Sequence, residues 1–446
     1  MMDWQQLLSR ERPGLSSPTG ARETRTDFQR DFDRIVFSAA LRRLQDKTQV
    51  FPLARSDQAR TRLTHSLEVS SVGRTLGTMV GEDILRRRPL AGLYPQDLGA
   101  IVAAACLAHD IGNPPFGHAG EDAIRLWFVE SAAGRRVLDE MSEAEQADLL
   151  HFEGNAQGFR VMVRLQSPDN PGGMQLTAAT LGAFSKYPRA ARCADASLSA
   201  KFGFFQDDRP WFGQLADILR LRPRGADRWY RHPLAYLVEA ADDICYRIVD
   251  IEDAFRLQLL DFLEVRDLLL PLAGGEAIRT RLNTIGRPLE QVELLRAKAI
   301  GQVVEQMHAA FMAHEQAILA GEFVGELIEQ IPAAALLERL KRRAEEAVYV
   351  AQPVVEVGAA GFQVLAGLLE AFVVAVDDVA RHGRRASARH RMLYQLLPAS
   401  YLGPGRQPDP SPYRRVLGVT DFIAGMTDSH AVSLYKKITG ISLPSG

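Results

Sequence analysis

The sequence has few of the features that mark secreted, membrane-spanning or strand-rich proteins. Its 446 residues include three cysteines, Cys106, Cys193 and Cys245, with no Cys-x-x-Cys pair, which favours buried free thiols in a reducing compartment. We find no apolar run approaching the ~20 residues of a membrane span. The polar N-terminus also differs from a signal peptide. We therefore predict a cytoplasmic protein that does not contact a membrane.

Neither a block of like charges nor a glycine-rich phosphate loop is present. The chain has 53 basic and 55 acidic residues, a net charge of −2, so charge alone does not indicate nucleic-acid or membrane binding. Apolar and polar residues do not alternate over more than about five positions, whereas helical spacing of apolar residues recurs throughout. A hydrophobic content of 46% is ordinary for a globular protein with a large core. These patterns predict an all-α fold.

The most informative segment places two ionisable residues at the end of an apolar helix. Every residue from Leu98 to Ala108 is apolar or small, which is typical of a buried helix. His109 and Asp110 follow at once. Ionisable groups in a protein interior are normally paired or bound to metal. A lone His-Asp dipeptide is more often a surface or capping pair, but the apolar helix before this one favours a metal site.

A second ionisable pair follows a helix break. Residues 113–115 (Asn-Pro-Pro) end the apolar helix, because proline lacks the N–H group and restricts the residue before it. A new helix from Gly117 would place His118 and Glu121 three residues apart on one face. Both pairs then meet at one buried corner, which indicates a functional site.

The clearest amphipathic helix is predicted over residues 233–255. Beside its apolar stripe, Asp242, Tyr246 and Asp250 recur every four residues and therefore point the same way. Asp243 is the alternative carboxylate, but it does not share this face. Helix packing can bring Asp242 to the histidines. Two imidazoles with carboxylates suit Mn²⁺, Fe²⁺ or Mg²⁺ better than a structural zinc, which usually takes thiolates.

Longer motifs make the chain resemble the HD-domain superfamily and, within it, the deoxyguanosine triphosphate triphosphohydrolase family. The segments that carry the resemblance are LRRLQDKTQVFP (41–52), TRLTHSLE (61–68), HDIGNPPFGHAGE (109–121), FEGNAQ (152–157), SKYP (185–188), EAADDI (239–244) and DFIAGMTD (421–428). The resemblance implies hydrolysis of a dNTP, dGTP or others, at the α-phosphorus. The products would be a deoxynucleoside and inorganic triphosphate.

The resemblance also assigns expected roles to individual residues. The implied metal ligands are His65, His109, Asp110 and Asp242. The implied catalytic pair beside the α-phosphate is His118 and Glu121. The implied substrate contacts are Arg62, Lys186, Tyr187 and Tyr246 at the triphosphate, Asp250 at the 3′-hydroxyl and Gln45 near the sugar and base. One divalent ion per chain, Mn, Mg or Fe, would serve the site. The family further implies a homo-oligomer, a tetramer or hexamer, and regulation by a dNTP or by single-stranded DNA.

The motifs and the resemblance together predict three parts of the chain, without a firm boundary between them. They are an N-terminal arm and helix (1–57), an HD phosphohydrolase core (58–256) and a helical C-terminal region packed on that core (257–446). Two alternatives stay open: another HD phosphohydrolase, such as a 5′-nucleotidase or cyclic-nucleotide phosphodiesterase, or a regulator that responds to nucleotide or DNA. The intact His118 and Glu121 pair argues against the regulator.

Overall fold

The computed structural model describes residues 1–15, 24–49, 60–192 and 201–442, and these are predominantly α-helical. The first ten helices are α1 Trp4–Leu7, α2 Asp27–Val36, α3 Ala39–Arg43, α4 Arg62–Arg87, α5 Pro95–Ala108, α6 Gly117–Glu130, α7 Ala132–Leu138, α8 Glu143–Leu150, α9 Gly154–Arg160 and α10 Ala178–Phe184. They are followed by α11 Arg209–Leu219, α12 Pro233–Arg256, α13 Phe262–Leu269, α14 Glu276–Leu282, α15 Pro288–Ala320, α16 Ala334–Ala347, α17 Gln352–His382, α18 Ala388–Leu396, α19 Pro412–Ala424 and α20 Asp428–Thr439. A short antiparallel hairpin joins β1 Pro223–Gly225 to β2 Arg228–Trp229. The all-α prediction is confirmed.

Local sequence explains where the helices of the predicted site begin. Thr61 caps α4, because its side chain accepts a hydrogen bond from the Thr64 N–H. Helices α5 and α12 begin at Pro95 and Pro233, since the fixed φ of proline suits the first helical position. Within α5, every residue from 101 to 108 is buried, so the predicted buried helix is confirmed.

The core consists of two hydrophobic clusters, and the predicted site lies where they meet. The first cluster contains residues of α4, α5, α12 and α15, and the second contains residues of α6, α17 and α19. Residues 109–117, here called the connecting loop, pass from one cluster to the other. Ile111 belongs to the first cluster and Phe116 to the second. Side chains at the end of α5 and the start of α6 therefore face a common junction.

The C-terminal helices hold the connecting loop in place. Phe116 has a φ of +65°, an uncommon value for a residue with a large side chain. Its N–H donates to Asp428 Oδ1 at 3.0 Å, while Oδ2 of the same carboxylate accepts from the Thr48 N–H, also at 3.0 Å. Buried Lys47 donates from Nζ to the carbonyls of Asn113 and Ala424. Burial lowers the pKa of Lys47 to about 7. We call this set of contacts the C-terminal clamp.

Two long predicted helices are wrong, because each is interrupted by a capping hydroxyl. Apolar residues at helical spacing over 27–44 predict one helix, but the structure divides it into α2 and α3, where the Ser38 side chain caps the second helix. Helical spacing over 414–437 likewise predicts one helix, but the structure divides it into α19 and α20, where the Thr427 side chain caps α20. A hydroxyl that accepts a backbone N–H starts a new helix without disturbing the apolar spacing.

The spacing of apolar residues over 323–330 also predicts a helix, and this prediction is wrong. Only Leu327–Gln330 is helical, as a 3-10 turn. Gly325 has a φ of +93°, which a right-handed helix cannot accommodate. Leu327 and Ile328 are buried in the first cluster. The helical spacing of apolar residues in this segment therefore comes from a short buried turn and not from an α-helix.

Helix α17 corrects the expectation about long apolar runs. Over Gln352–Arg385 the chain is long and apolar enough to cross a membrane by length and composition alone. Half of that apolar window is buried inside the protein, where Leu368 and Phe372 pack in the second cluster. The core helix of a globular protein passes the same test, so this finding is weak support for a membrane span.

Asp148 provides a pH-dependent test of the packing around the second cluster. This fully buried carboxyl accepts hydrogen bonds at Oδ2 from the Gln206 N–H and the Tyr413 hydroxyl, and burial raises its pKa to about 8. The folded state then holds the proton more tightly than the unfolded chain. Its contribution to stability is therefore complete below about pH 4 and is lost as the pH rises through 8. Asp148→Asn should flatten this pH dependence, measured as Tm between pH 5 and 8.

Asp139→Asn is the matched control, because Asp139 is an exposed carboxyl nine residues earlier in the sequence, just after α7. It should leave the Tm profile of the parent protein unchanged. An Asp148→Asn profile with the slope of the parent protein would show that Asp148 is ionised throughout this range.

Candidate metal and phosphate site

Three side chains from different helices converge on one point at the junction of the clusters. His65 lies in the first turn of α4, His109 ends α5, and Asp242 lies in the middle of α12. One ligand atom from each lies within 4.8 Å of the other two. His65 Nε2 is 3.0 Å and His109 Nε2 is 3.6 Å from Asp242 Oδ1. The group opens toward solvent on the side of Asp242, whose side chain is 37% exposed.

The donor chemistry of this group fits a divalent metal ion. The Nδ1–H of His109 donates to the Cys106 carbonyl at 2.6 Å, so Nε2 keeps its lone pair and points at Asp242. A second hydrogen bond of this kind is what fixes the tautomer of metal-binding histidines. Two imidazoles and a carboxylate leave further coordination positions for water and substrate.

The electrostatics distinguish Asp242 from its neighbour Asp243. Burial opposes ionisation of Asp242, but His109, His65 and Lys186 hold its pKa well below the usual range. Burial, and then the charge of Asp242, raise the pKa of Asp243 to about 7. Asp242 is therefore the more fully ionised of the two carboxyls at neutral pH, and its choice as the metal ligand stays a prediction.

Asp110 lies beside the three-residue group and pairs with an arginine. Its Oδ2 is 3.6 Å from His109 Nε2 and accepts from Arg62 Nη1 at 2.9 Å. Oδ1 accepts from the Asn113 side chain. Burial opposes ionisation, yet Arg62 and the two imidazoles lower the pKa of Asp110 to about 2. Asp110 is thus an anion next to the proposed ion, and its role as a ligand stays a prediction.

His118 and Glu121 form a hydrogen-bonded pair at the start of α6. His118 Nδ1 is 3.1 Å from Glu121 Oε2, and Glu121 Oε1 accepts from the Gly154 N–H at 2.8 Å. The imidazole is 80% exposed while the carboxylate is buried. Burial opposes ionisation of Glu121, but its bond to His118 lowers the pKa. A fixed carboxylate therefore orients an exposed imidazole, an arrangement suited to proton transfer.

Arg62 lies between Asp110, next to the three-residue group, and the helix that carries His118 and Glu121. While Nη1 binds Asp110, a Cβ at Gly117 would lie 2.4 Å from Nη2. Gly117 also has a φ of +58°, which favours glycine immediately before His118, and a side chain there would displace the Arg62 guanidinium. The guanidinium thus lies between Asp110 and the start of α6, where it can meet a phosphate.

Lys186 and Tyr187 lie close to the turn of α12 that precedes Asp242. Lys186 Nζ is 3.1 Å from Glu239 Oε1 and 5.6 Å from the centre of the Tyr187 ring. Glu239 is one helical turn before Asp242. The Lys186 charge is close enough to lower the pKa of Asp242. A cation therefore lies within one helical turn of Asp242, with the Tyr187 ring beside it.

The stripe predicted along α12 is present, with a partner that the sequence did not indicate. The Tyr349 hydroxyl donates to Asp250 Oδ2 at 2.9 Å, and the Tyr349 and Tyr246 rings stack at 6.1 Å. Burial raises the pKa of Asp250 to about 7. Gln45 lies exposed in the 3-10 turn after α3 and, within the described residues, shares no hydrogen bond with the other predicted site residues.

Comparison with known proteins identifies the family. The HD domain family model matches residues 62–161. A deoxyguanosinetriphosphate triphosphohydrolase-like protein of Pseudomonas aeruginosa is 46% identical over 100% of both chains, and one of Synechocystis is 44% identical over 99% of this chain and 100% of its own. The chain belongs to this family. A protein of Salmonella arizonae named deoxyguanosinetriphosphate triphosphohydrolase is 31% identical over 93% of this chain and 94% of its own. The family resemblance drawn from the motifs is confirmed.

Three site features of this triphosphohydrolase-like chain were missed from the sequence. Tyr349 follows α16 and carries no motif, so no local signal could place it against Asp250. The partners of Lys47 and Asp428 were likewise invisible, although both residues lie in segments that carry the resemblance. Glu239 could have been found, because it extends the α12 stripe by one turn.

Proposed function

We propose that the chain is a metal-dependent hydrolase that converts a dNTP, dGTP among them, to a deoxynucleoside and inorganic triphosphate. Its relatives are named for this activity on dGTP, and their resemblance covers essentially the whole chain. The observation that carries the proposal is the convergence of His65, His109 and Asp242 beside two separate cations, Arg62 and Lys186. We further propose a cytoplasmic homo-oligomer, a tetramer or hexamer, whose activity is regulated by a dNTP or by single-stranded DNA.

His65, His109, Asp110 and Asp242 would hold one divalent ion, Mn, Mg or Fe. Three of these residues already converge, and Asp110 adds a second anionic carboxylate 3.6 Å from His109. When bound, the ion would supply Lewis-acid stabilisation of the charge that develops at the α-phosphate. Mixed imidazole and carboxylate ligands match ions of this class.

His118 would move the proton at the reacting phosphate. Glu121 accepts from its Nδ1–H, which leaves Nε2 on an exposed ring free to take or give a proton. The Gly154 N–H in turn fixes the carboxylate. The pair resembles other catalytic pairs in which a buried carboxylate orients an imidazole.

The remaining predicted site residues would bind the triphosphate, the sugar and the base of the substrate. Arg62, Lys186 and Tyr246 would contact the triphosphate, with Tyr187 beside them, and would offset the negative charge that builds up on the phosphates while the bond to the sugar 5′-oxygen breaks. Asp250 would accept from the sugar 3′-hydroxyl, two helical turns from Asp242. The separation is about 12 Å along the axis at ~1.5 Å per residue. Gln45 would lie near the sugar and base.

The direct test identifies the inorganic product. Protein incubated with dGTP and Mn²⁺ should release inorganic triphosphate, measured by phosphorus NMR, together with deoxyguanosine. Pyrophosphate or orthophosphate as the primary product would contradict cleavage at the α-phosphorus on the sugar side. Hydrolysis of dGMP or of a cyclic nucleotide in preference to dGTP would support the alternative phosphohydrolases.

Asp250→Asn tests the proposed orientation of the substrate. At pH 8 and above, where Asp250 with its pKa of about 7 is mostly ionised, a charge-assisted hydrogen bond contributes ~1.5–3 kcal/mol, so its loss should reduce kcat/KM for dGTP by about 10- to 150-fold. The variant should keep its metal and should discriminate less between dGTP and its 3′-deoxy analogue. Steady-state kinetics with both nucleotides provide the measurement.

Tyr246→Phe is the comparison variant, because Tyr246 lies one turn nearer Asp242 on the same stripe. It should weaken binding of both nucleotides alike. If Asp250→Asn keeps the full preference for a 3′-hydroxyl, the stripe is structural and the sugar binds elsewhere.

A further inference from the structure

One buried carboxylate joins two cations next to the proposed triphosphate site. Glu239 is 4% exposed, and its Oε1 lies 3.1 Å from Lys186 Nζ. Its Oε2 accepts from Arg231 Nη1 at 2.9 Å. Each oxygen therefore faces a different cation, and the carboxylate fixes the distance between them.

Aromatic rings confine the same two cations. Lys186 Nζ lies 5.6 Å and Arg231 Cζ 5.7 Å from the centre of the Tyr187 ring. Arg231 also lies 5.2 Å from the centre of the Tyr236 ring. Cation–ring contacts at these distances restrain a flexible side chain as well as stabilising its charge. The arginine is held between two rings while it binds Glu239.

The position of Glu239 on α12 brings Lys186 close to the proposed metal ligand Asp242. Glu239, Asp242, Tyr246 and Asp250 follow one another at helical spacing and share one face. The carboxylate that pairs with Lys186 is thus one turn from the proposed metal ligand. A lysine side chain has four rotatable bonds along its carbon chain and loses conformational entropy when it is fixed. Pairing with a buried carboxylate fixes its ammonium group before the substrate arrives.

We propose that Glu239 and Arg231 are positioning residues for triphosphate binding. Glu239 holds the ammonium group of Lys186 beside the metal group, and Arg231 holds Glu239 by its second oxygen. Neither needs to touch the substrate. The inference rests on the proposed function, because it assumes that Lys186 binds the triphosphate.

Removal of the Glu239 charge separates positioning from simple electrostatics. Glu239→Gln makes the site more positive by one charge. If charge alone governed binding, an anionic triphosphate would bind more tightly to this variant. Positioning predicts the opposite, because an unpaired Lys186 loses its fixed location. We expect affinity for inorganic triphosphate to fall by about tenfold, which corresponds to the loss of one charged hydrogen bond between Lys186 and the triphosphate.

Calorimetric titration of the metal-loaded protein with inorganic triphosphate measures this directly. Kinetics with dGTP should show a matching rise in KM with little change in kcat. Arg231→Gln should weaken binding in the same direction, and Arg231→Lys should restore part of it. Arg224→Gln is the matched control, because Arg224 also lies beside a tyrosine ring, 5.4 Å from Tyr230, but in the exposed hairpin. It should leave triphosphate affinity unchanged.

The outcomes separate this proposal from the proposed function. Equal or tighter triphosphate binding by Glu239→Gln and Arg231→Gln would overturn the positioning role, as would a parent protein that does not bind inorganic triphosphate. If the parent protein binds triphosphate but does not hydrolyse dGTP, the proposed function fails while the variants still decide the positioning role. Should Glu239→Gln fail to fold, the Arg231 variants decide it alone, because that side chain is partly exposed.

Discussion

Asp242→Ala should abolish metal binding and dGTP hydrolysis together. Its carboxylate is the only one in the three-residue group, and both imidazole Nε2 atoms lie within 3.6 Å of it. Lewis-acid stabilisation by a bound ion contributes several kcal/mol, so kcat should fall by about 10³-fold or more. Metal content by elemental analysis, measured on the same samples as activity, tests both halves of the prediction.

Asp243→Ala is the matched control for this variant. Asp243 is the adjacent carboxyl, but it faces Arg247 at 3.8 Å and is not part of the group. It should keep the metal and most of the activity. Full metal content in Asp242→Ala would refute the ligand assignment. Asp110→Ala tests the fourth ligand in the same way, since loss of its metal would place Asp110 in the coordination shell.

His118→Ala should lower kcat by about 10²- to 10⁴-fold, the usual contribution of a general acid or base. Its metal content should not change, because His118 pairs with Glu121 and is not part of the group formed by His65, His109 and Asp242. The side chain is largely exposed, so the fold should tolerate the loss. Single-turnover kinetics with saturating dGTP measure the chemical step.

His151→Ala is the comparison, because His151 is an exposed histidine at the end of α8. We expect near-normal kcat. Equal effects of the two substitutions would remove the special role of His118. Loss of metal from either variant, or two ions about 3.5–4 Å apart in a crystal structure, would favour the phosphodiesterase alternative.

Periodic patterns predicted the helices that carry the site, whereas contacts made by residues outside those patterns could not be predicted. Helices α5 and α12 have long, regular apolar stripes, so both were predicted near their observed limits. Their packing brings His109 and Asp242 together, as expected. Tyr349 reaches Asp250 from a separate turn, and that pairing depends on tertiary packing, which leaves no trace in local spacing. Capping hydroxyls such as Ser38 ended helices without interrupting the apolar pattern.

The C-terminal clamp has a consequence for how an active molecule is made. The connecting loop carries Asp110 and leads to His118, yet Asp428 and the Ala424 carbonyl, about 300 residues later in the sequence, hold it. A growing polypeptide lacks these contacts until residues 424–428 have been synthesised. We therefore expect chains that end before residue 424 to lack activity. Translation past this point then acts as a quality control on an enzyme that would consume DNA precursors.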